Sequence, residues 1–187
     1  MDKKTIDKKT IDKTKKVPIR YLPNSLTNDD KRKQLNMLEK SKAMYVDHKY
    51  YTRQHVSSYK SKPSQHVKNA REIYKISKVT PSKELSQATG CTISSLNKIV
   101  RKGEGAYYSS GSRPNQTPQS WGLARLASSI TAGKSAAVDY KILEKGCDHR
   151  KKAFILANKS KQKYNDGHGK TKKVSVTNLN TKLNTKI

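Results

Sequence analysis

Acidic residues are scarce in this chain: 14 Asp and Glu stand against 41 Lys and Arg, which leaves a formal charge of +27. The few carboxylates mostly sit beside lysines in the tails or at helix starts, so neither a catalytic carboxylate pair nor an oxygen cage for a divalent cation is expected. Cysteine is rarer still. Cys91 and Cys147 form no CxxC and have no neighbouring His pair. A structural zinc site is therefore excluded, and two reduced thiols in an intracellular compartment are expected. The five histidines (His48, His55, His66, His149 and His168) are scattered and read as surface residues. Long apolar runs are missing, which excludes a membrane-crossing helix. The opening Met1-Asp2-Lys3-Lys4 lacks the apolar stretch of a secretion signal. No GxSxG elbow occurs. Ala132-Gly133-Lys134-Ser135 looks like the end of a nucleotide-binding loop, but Ser128 stands where that motif needs Gly, and 118–130 reads as helix rather than strand. No catalytic residues, metal, cofactor or small-molecule substrate are expected.

What the chain has in abundance is positive charge, and a surplus of this size attracts any dense polyanion. DNA and RNA are the usual ones, because bound cations release condensed counterions. An acidic protein or membrane surface competes with that reading, and a charge run can also be no more than a solvated face. Lysine far outnumbers arginine, which favours phosphate contact over bidentate reading of guanine. Apolar residues make up only 32%, so the core must be modest. Phe and Trp occur once each, whereas Tyr occurs ten times. A tyrosine can bury its ring and keep its hydroxyl wet.

Local patterning predicts a mainly α, small basic domain over 18–160, flanked by disordered basic tails at 1–17 and 161–187. Residues 2–13 repeat DKKTI and cannot bury a core. Thr27 reads as the N-cap of an amphipathic helix over 28–46, with Asp29 and Asp30 in its first turn and Leu35, Met37, Leu38, Met44 and Tyr45 on its apolar stripe. Residues 48–62 suit a short strand pair or an ordered loop. Tyr50, Tyr51 and Tyr59 there could stack bases, although half-buried packing is the commoner fate of such rings. Further helices are expected over 65–76, 82–89 and 93–102, the last two ended by Gly90 and Gly103. Others should start at Thr117-Pro118 and at Lys134 or Ser135, and one more should cover 148–160 around Phe154, Ile155 and Leu156.

The segment from Glu84 to Ile99 resembles a helix-turn-helix, within a trihelical unit of about 65–102. Leu85 faces the core, the small Ser86 sits where the helices cross, Gly90 supplies the left-handed turn, and Ile93, Leu96 and Ile99 return at helical spacing. Two positions depart from the usual pattern, which has Ala at Ser86 and an aliphatic at Thr89. The competing reading is a helical hairpin used only for packing. Under the first reading Ser94, Ser95 and Asn97 approach bases while Lys98, Arg101 and Lys102 meet phosphates. Lys68, Arg71, Arg113 and Arg125 complete the candidate nucleic-acid-binding set. The glycine- and hydroxyl-rich block 101–134 could form an anion nest with Arg113 and Arg125 supplying charge, or a structured loop whose serines satisfy their own backbone.

Two strings carry a wider resemblance: Gly103-Glu104-Gly105-Ala106-Tyr107-Tyr108-Ser109-Ser110-Gly111-Ser112-Arg113-Pro114-Asn115-Gln116-Thr117, and Ser120-Trp121-Gly122-Leu123-Ala124-Arg125-Leu126-Ala127-Ser128. With the block from Arg20 to Leu143 they resemble an uncharacterised Lys-rich domain of giant double-stranded DNA viruses of the mimivirus and algal-virus kind. The resemblance implies a viral protein, located in the virion or the viral factory of the infected cell, and brings no catalytic residues with it. Three functions compete. The first is nucleic-acid binding, DNA foremost. The second is a structural virion protein, capsid-lining or core, that binds acidic viral partners. The third is an enzyme on nucleic acid with the Tyr107–Arg125 block as its pocket.

Overall fold

The computed structural model describes residues 16–168 and 171–176, and the fold is mainly helical. The repeat at 2–13 and most of both expected tails lie outside the described residues. The described residues contain eight α-helices: α1 (Asn28–Val46), α2 (Gln65–Tyr74), α3 (Lys83–Thr89), α4 (Ile93–Ser109), α5 (Pro118–Ile130), α6 (Lys134–Val138), α7 (Tyr140–Gly146) and α8 (Lys152–Lys163). Two short strands, β1 (Lys16–Pro18) and β2 (Lys173–Ser175), pair antiparallel with Val17 opposite Val174. Parts of both expected tails are therefore ordered. Val17 and Val176 are buried with Tyr21, Leu22, Leu35 and Leu38, and this small cluster ties the two ends of the chain to α1.

Four of the eight described helices start on a side-chain cap. The Thr27, Ser82, Thr92 and Thr117 side chains accept from the backbone N–H of Asp30, Leu85, Ser95 and Ser120. At α5 the box is reciprocal, since the Ser120 hydroxyl also accepts from the Thr117 N–H, and Pro118 occupies the first helical position. Gly90 ends α3 at φ 74°, a conformation in which a Cβ is strained.

Gly103 does not end α4, which runs on to Ser109. A Cβ at Gly103 would lie 2.6 Å from the Gly122 Cα, and one at Gly122 would meet the Val100 carbonyl oxygen at 2.7 Å. The two glycines form the close crossing of α4 and α5, the most extensively packed helix pair in the fold. The block 101–134, expected as an anion nest or a structured loop, is thus mostly helix. Tyr107 within it is fully buried, and its hydroxyl accepts from the Arg53 N–H.

Around the α4–α5 pair the main core gathers Ala70 and Tyr74 from α2, Leu85 from α3, Leu143 from α7, and Ala153, Phe154 and Ala157 from α8. Residues 48–62 form an ordered loop without strands. Asn115 clamps it, accepting from the Val56 N–H and donating to the Val56 and Tyr59 carbonyls. Ile93, expected at core spacing, sits outside the core, and Val138 and Ile155 are likewise more than 40% exposed. Ile93 lies in the first turn of α4, before the buried stripe Leu96, Ile99, Val100, Gly103 and Tyr107 begins.

Cys91 and Cys147 are joined in a disulfide, which corrects the expectation of reduced thiols. Cys91 lies in the α3–α4 turn, and the end of α7 runs beside that turn as a two-stranded bridge. The Thr92 N–H donates to the Gly146 carbonyl (2.7 Å) and the Asp148 N–H to the Gly90 carbonyl (2.8 Å).

Candidate nucleic-acid interface

The α4 helix keeps one face open along its first half. Ser94, Lys98, Arg101 and Lys102 are exposed and Asn97 is half-exposed. Ser95 is not part of that face. It is buried against the end of α7, where its hydroxyl accepts from the Thr92 hydroxyl, and a Cβ at Gly146 would overlap it. Neighbouring α7, which packs on α4, carries exposed Lys141, Glu144 and Lys145. The polar ridge anticipated from sequence therefore exists without Ser95 and with a stapled turn at its N-terminal end.

Arg125 and Lys102 are partly diverted from any polyanion. Both grip Asp139, whose side chain is fully buried between α6 and α7. Arg125 donates to it through Nε and Nη2 at 2.7 Å each, the Lys102 ammonium stands 2.8 Å from Oδ1, and the Ser129 hydroxyl donates at 3.2 Å. A buried carboxylate needs such compensation. The Arg125 side chain is only 17% exposed, so its charge serves the fold first.

A second basic surface is larger. Between α2, α5 and the β1–α1 connection lies a cleft of about 660 Å³. Arg71, Arg113 and Arg125 from the predicted set line it, joined by Arg20, Lys62, Lys78 and Lys134, and among the described residues no Asp or Glu contributes to its wall. Trp121 and the Tyr21 ring form an aromatic corner there, with the Arg20 guanidinium 5.8 Å from the Trp121 ring centroid. His66 also lines the cleft. Partial desolvation, and then the positive charge of Arg113, hold its pKa below the usual imidazole value. Lys68 is exposed on α2 and does not line this cleft.

The cleft residues absent from the predicted set (Arg20, Lys62, His66, Lys78, Trp121 and Lys134) come from separate segments of the chain. No local motif unites them. For the four cations Arg20, Lys62, Lys78 and Lys134 the one available signal was their positive charge; nothing local marked His66 or Trp121.

Within the Tyr107–Arg125 block, Tyr107, Ser109 and Arg113 do not converge on one cavity. Tyr107 is buried, Ser109 is exposed at the end of α4, and Arg113 faces a cleft without a carboxylate. Among the described residues no cluster of His, Cys, Asp and Glu could hold a metal ion, and no helix is long and apolar enough to cross a membrane.

Comparison with curated proteins and with solved structures gives no match. Residues 18–145 match the family of unknown function DUF5824; the span covers more than half of the chain, and the protein belongs to that family.

Proposed function

We propose that this protein binds nucleic acid, DNA foremost, by seating backbone phosphates in the cleft between α2 and α5 and along the open face of α4. The observation that carries the reading is the cleft wall: six Lys and Arg side chains converge on it besides Arg125, whose charge Asp139 takes up, and among the described residues no carboxylate does. Opposing carboxylates would cancel such a field, and their absence leaves a potential that attracts phosphates from a distance. The formal charge of +27 acts in the same direction over the whole chain. The α4 face presents hydroxyl, amide and cationic groups of the size a groove admits. The resemblance to a domain of giant double-stranded DNA viruses points to DNA as the natural polyanion and to the virion or viral factory as the place.

Binding should weaken steeply with salt, because each neutralised phosphate releases condensed counterions. Replacing Arg71 and Arg113 together with glutamine should reduce the slope of log affinity against log salt by about two and weaken all sequences alike. Fluorescence anisotropy with duplex DNA across a salt series measures both. An affinity that ignores salt, or a slope unchanged in the double variant, refutes the cleft. Equal binding of polyglutamate would transfer the site to an acidic virion protein instead.

A further inference from the structure

On the far side of the α5 N-terminus from the basic cleft, three tyrosines meet at the surface. Tyr45 ends α1, Tyr50 belongs to the following loop, and Tyr108 lies near the end of α4. The Tyr45 and Tyr108 rings are nearly parallel, 5° apart in plane with centroids 6.1 Å apart. Tyr50 stands edge-on to both, its centroid 6.0 Å from Tyr45 and 5.0 Å from Tyr108. Tyr108 in turn leans on the fully buried Tyr107, whose ring lies under the Arg53 guanidinium.

Tyr50 differs from the other loop tyrosines. Tyr51 and Tyr59 are half-buried against Leu26, Met37 and Val56, whereas Tyr50 is 67% exposed. The two neighbouring rings nevertheless restrict its orientation. An aromatic face that is held in place and left in water is preorganised to receive another flat group, because little freedom remains to be lost. The cavity beside it, about 610 Å³, is also lined by Arg101, Glu104, Gly105 and the start of α5 at Thr117–Gln119. Gly105 keeps the wall low: a Cβ there would only touch the Tyr45 hydroxyl, at 3.6 Å.

We infer that the Tyr45–Tyr50–Tyr108 cluster is a stacking platform for an unpaired nucleobase, with Arg101 available to the adjoining phosphate. The inference rests on the nucleic-acid reading above and adds a preference for single-stranded segments. Bases inside a duplex have their faces covered by their neighbours, whereas an unpaired base offers its whole π-face to a ring. Aromatic clusters also hold quaternary ammonium groups. Here Arg101 lines the cavity against a single carboxylate, Glu104, and the chain as a whole repels cations. Arg101 and Glu104 balance one another locally, so the surplus of positive charge over the whole chain is what favours a base attached to phosphate over a cation.

The test uses the full chain, an oligothymidylate and a duplex of equal length, and anisotropy at one salt concentration. Tyr50→Ala should weaken the single strand about tenfold and the duplex less than about twofold. Tyr50→Phe should bind both like the wild type, since the ring and not the hydroxyl does the stacking. Because Tyr50 is exposed, circular dichroism of the Ala variant should match the wild type. Unchanged single-strand affinity in Tyr50→Ala overturns the platform, while duplex binding that persists in the same titration leaves the cleft standing. A wild-type chain that binds neither nucleic acid, or only a trimethyllysine peptide, overturns both.

Discussion

Asp139→Asn removes the only carboxylate in a cluster that joins three helices. The Asp139 side chain is fully buried, Arg125 is 17% exposed and Lys102 is 46% exposed. After the change Arg125 keeps its charge in a largely dry site with one neutral acceptor in place of a bidentate anion. Breaking a buried pair from one side costs about 3–5 kcal/mol, and the half-exposed Lys102 contact adds at most about 1 kcal/mol. Asparagine retains one oxygen, so the expected loss is about 3–4 kcal/mol. For a chain of this size each kcal/mol moves Tm by about 2–4 °C, which places the drop at about 6–16 °C. Thermal and urea unfolding followed by far-UV circular dichroism reads it directly. The companion Asp139→Leu with Arg125→Met removes both halves of the pair, leaves Lys102 free to swing into water, and should recover most of the loss. A single variant within about 1 kcal/mol of the wild type would refute the buried-cluster account.

Three further outcomes follow from the same fold. Gly103→Ala should destabilise by about 1–2 kcal/mol, because its Cβ meets backbone at the α4–α5 crossing, whereas Gly105→Ala should stabilise slightly through helix propensity; urea midpoints compare them. The His66 pKa is lowered on folding, so its contribution to stability is fully present above the unfolded value of about 6.5 and is lost as pH falls through the folded value. A phosphate in the cleft favours the charged ring, so DNA affinity should rise on acidification from about pH 7.5 to about pH 5.5, and His66→Gln should flatten that rise in anisotropy titrations. Reducing the Cys91–Cys147 bond, which spans 56 positions, should lower the unfolding free energy by about 2–4 kcal/mol without abolishing the fold, as read in urea with and without reductant.

The parts of this molecule legible in sequence are those that local chemistry decides. Thr27, Thr92 and the Thr117-Pro118 pair announce their helices because a cap bond spans only three residues. The α1 boundaries follow from that cap and from the apolar stripe. Errors arise where a distant partner decides. Gly103 reads as a stop until Gly122 is brought against it. Ser95 has an outward spacing until Gly146 covers it, and the thiols look free until α7 runs beside the α3–α4 turn. Arg125 looks like a phosphate ligand until Asp139 is placed opposite. Of the candidate interface, the α4 face was legible as a helix with one polar side. The cleft was only partly legible, since Arg71 and Arg113 were identified without the neighbours that make them a site.

The family match stops at Lys145, yet the hydrophobic interior does not. Cys147 and the α8 residues Ala153, Phe154 and Ala157 lie beyond that edge and are packed into the main core. A protein trimmed to the matched span would expose the trough that α8 fills, lose the sulfur partner of Cys91, and surrender β2, which holds the first strand in place. The unit able to fold by itself is thus longer than the unit by which its kin are recognised, and expression boundaries should follow the former, through residue 176 at least.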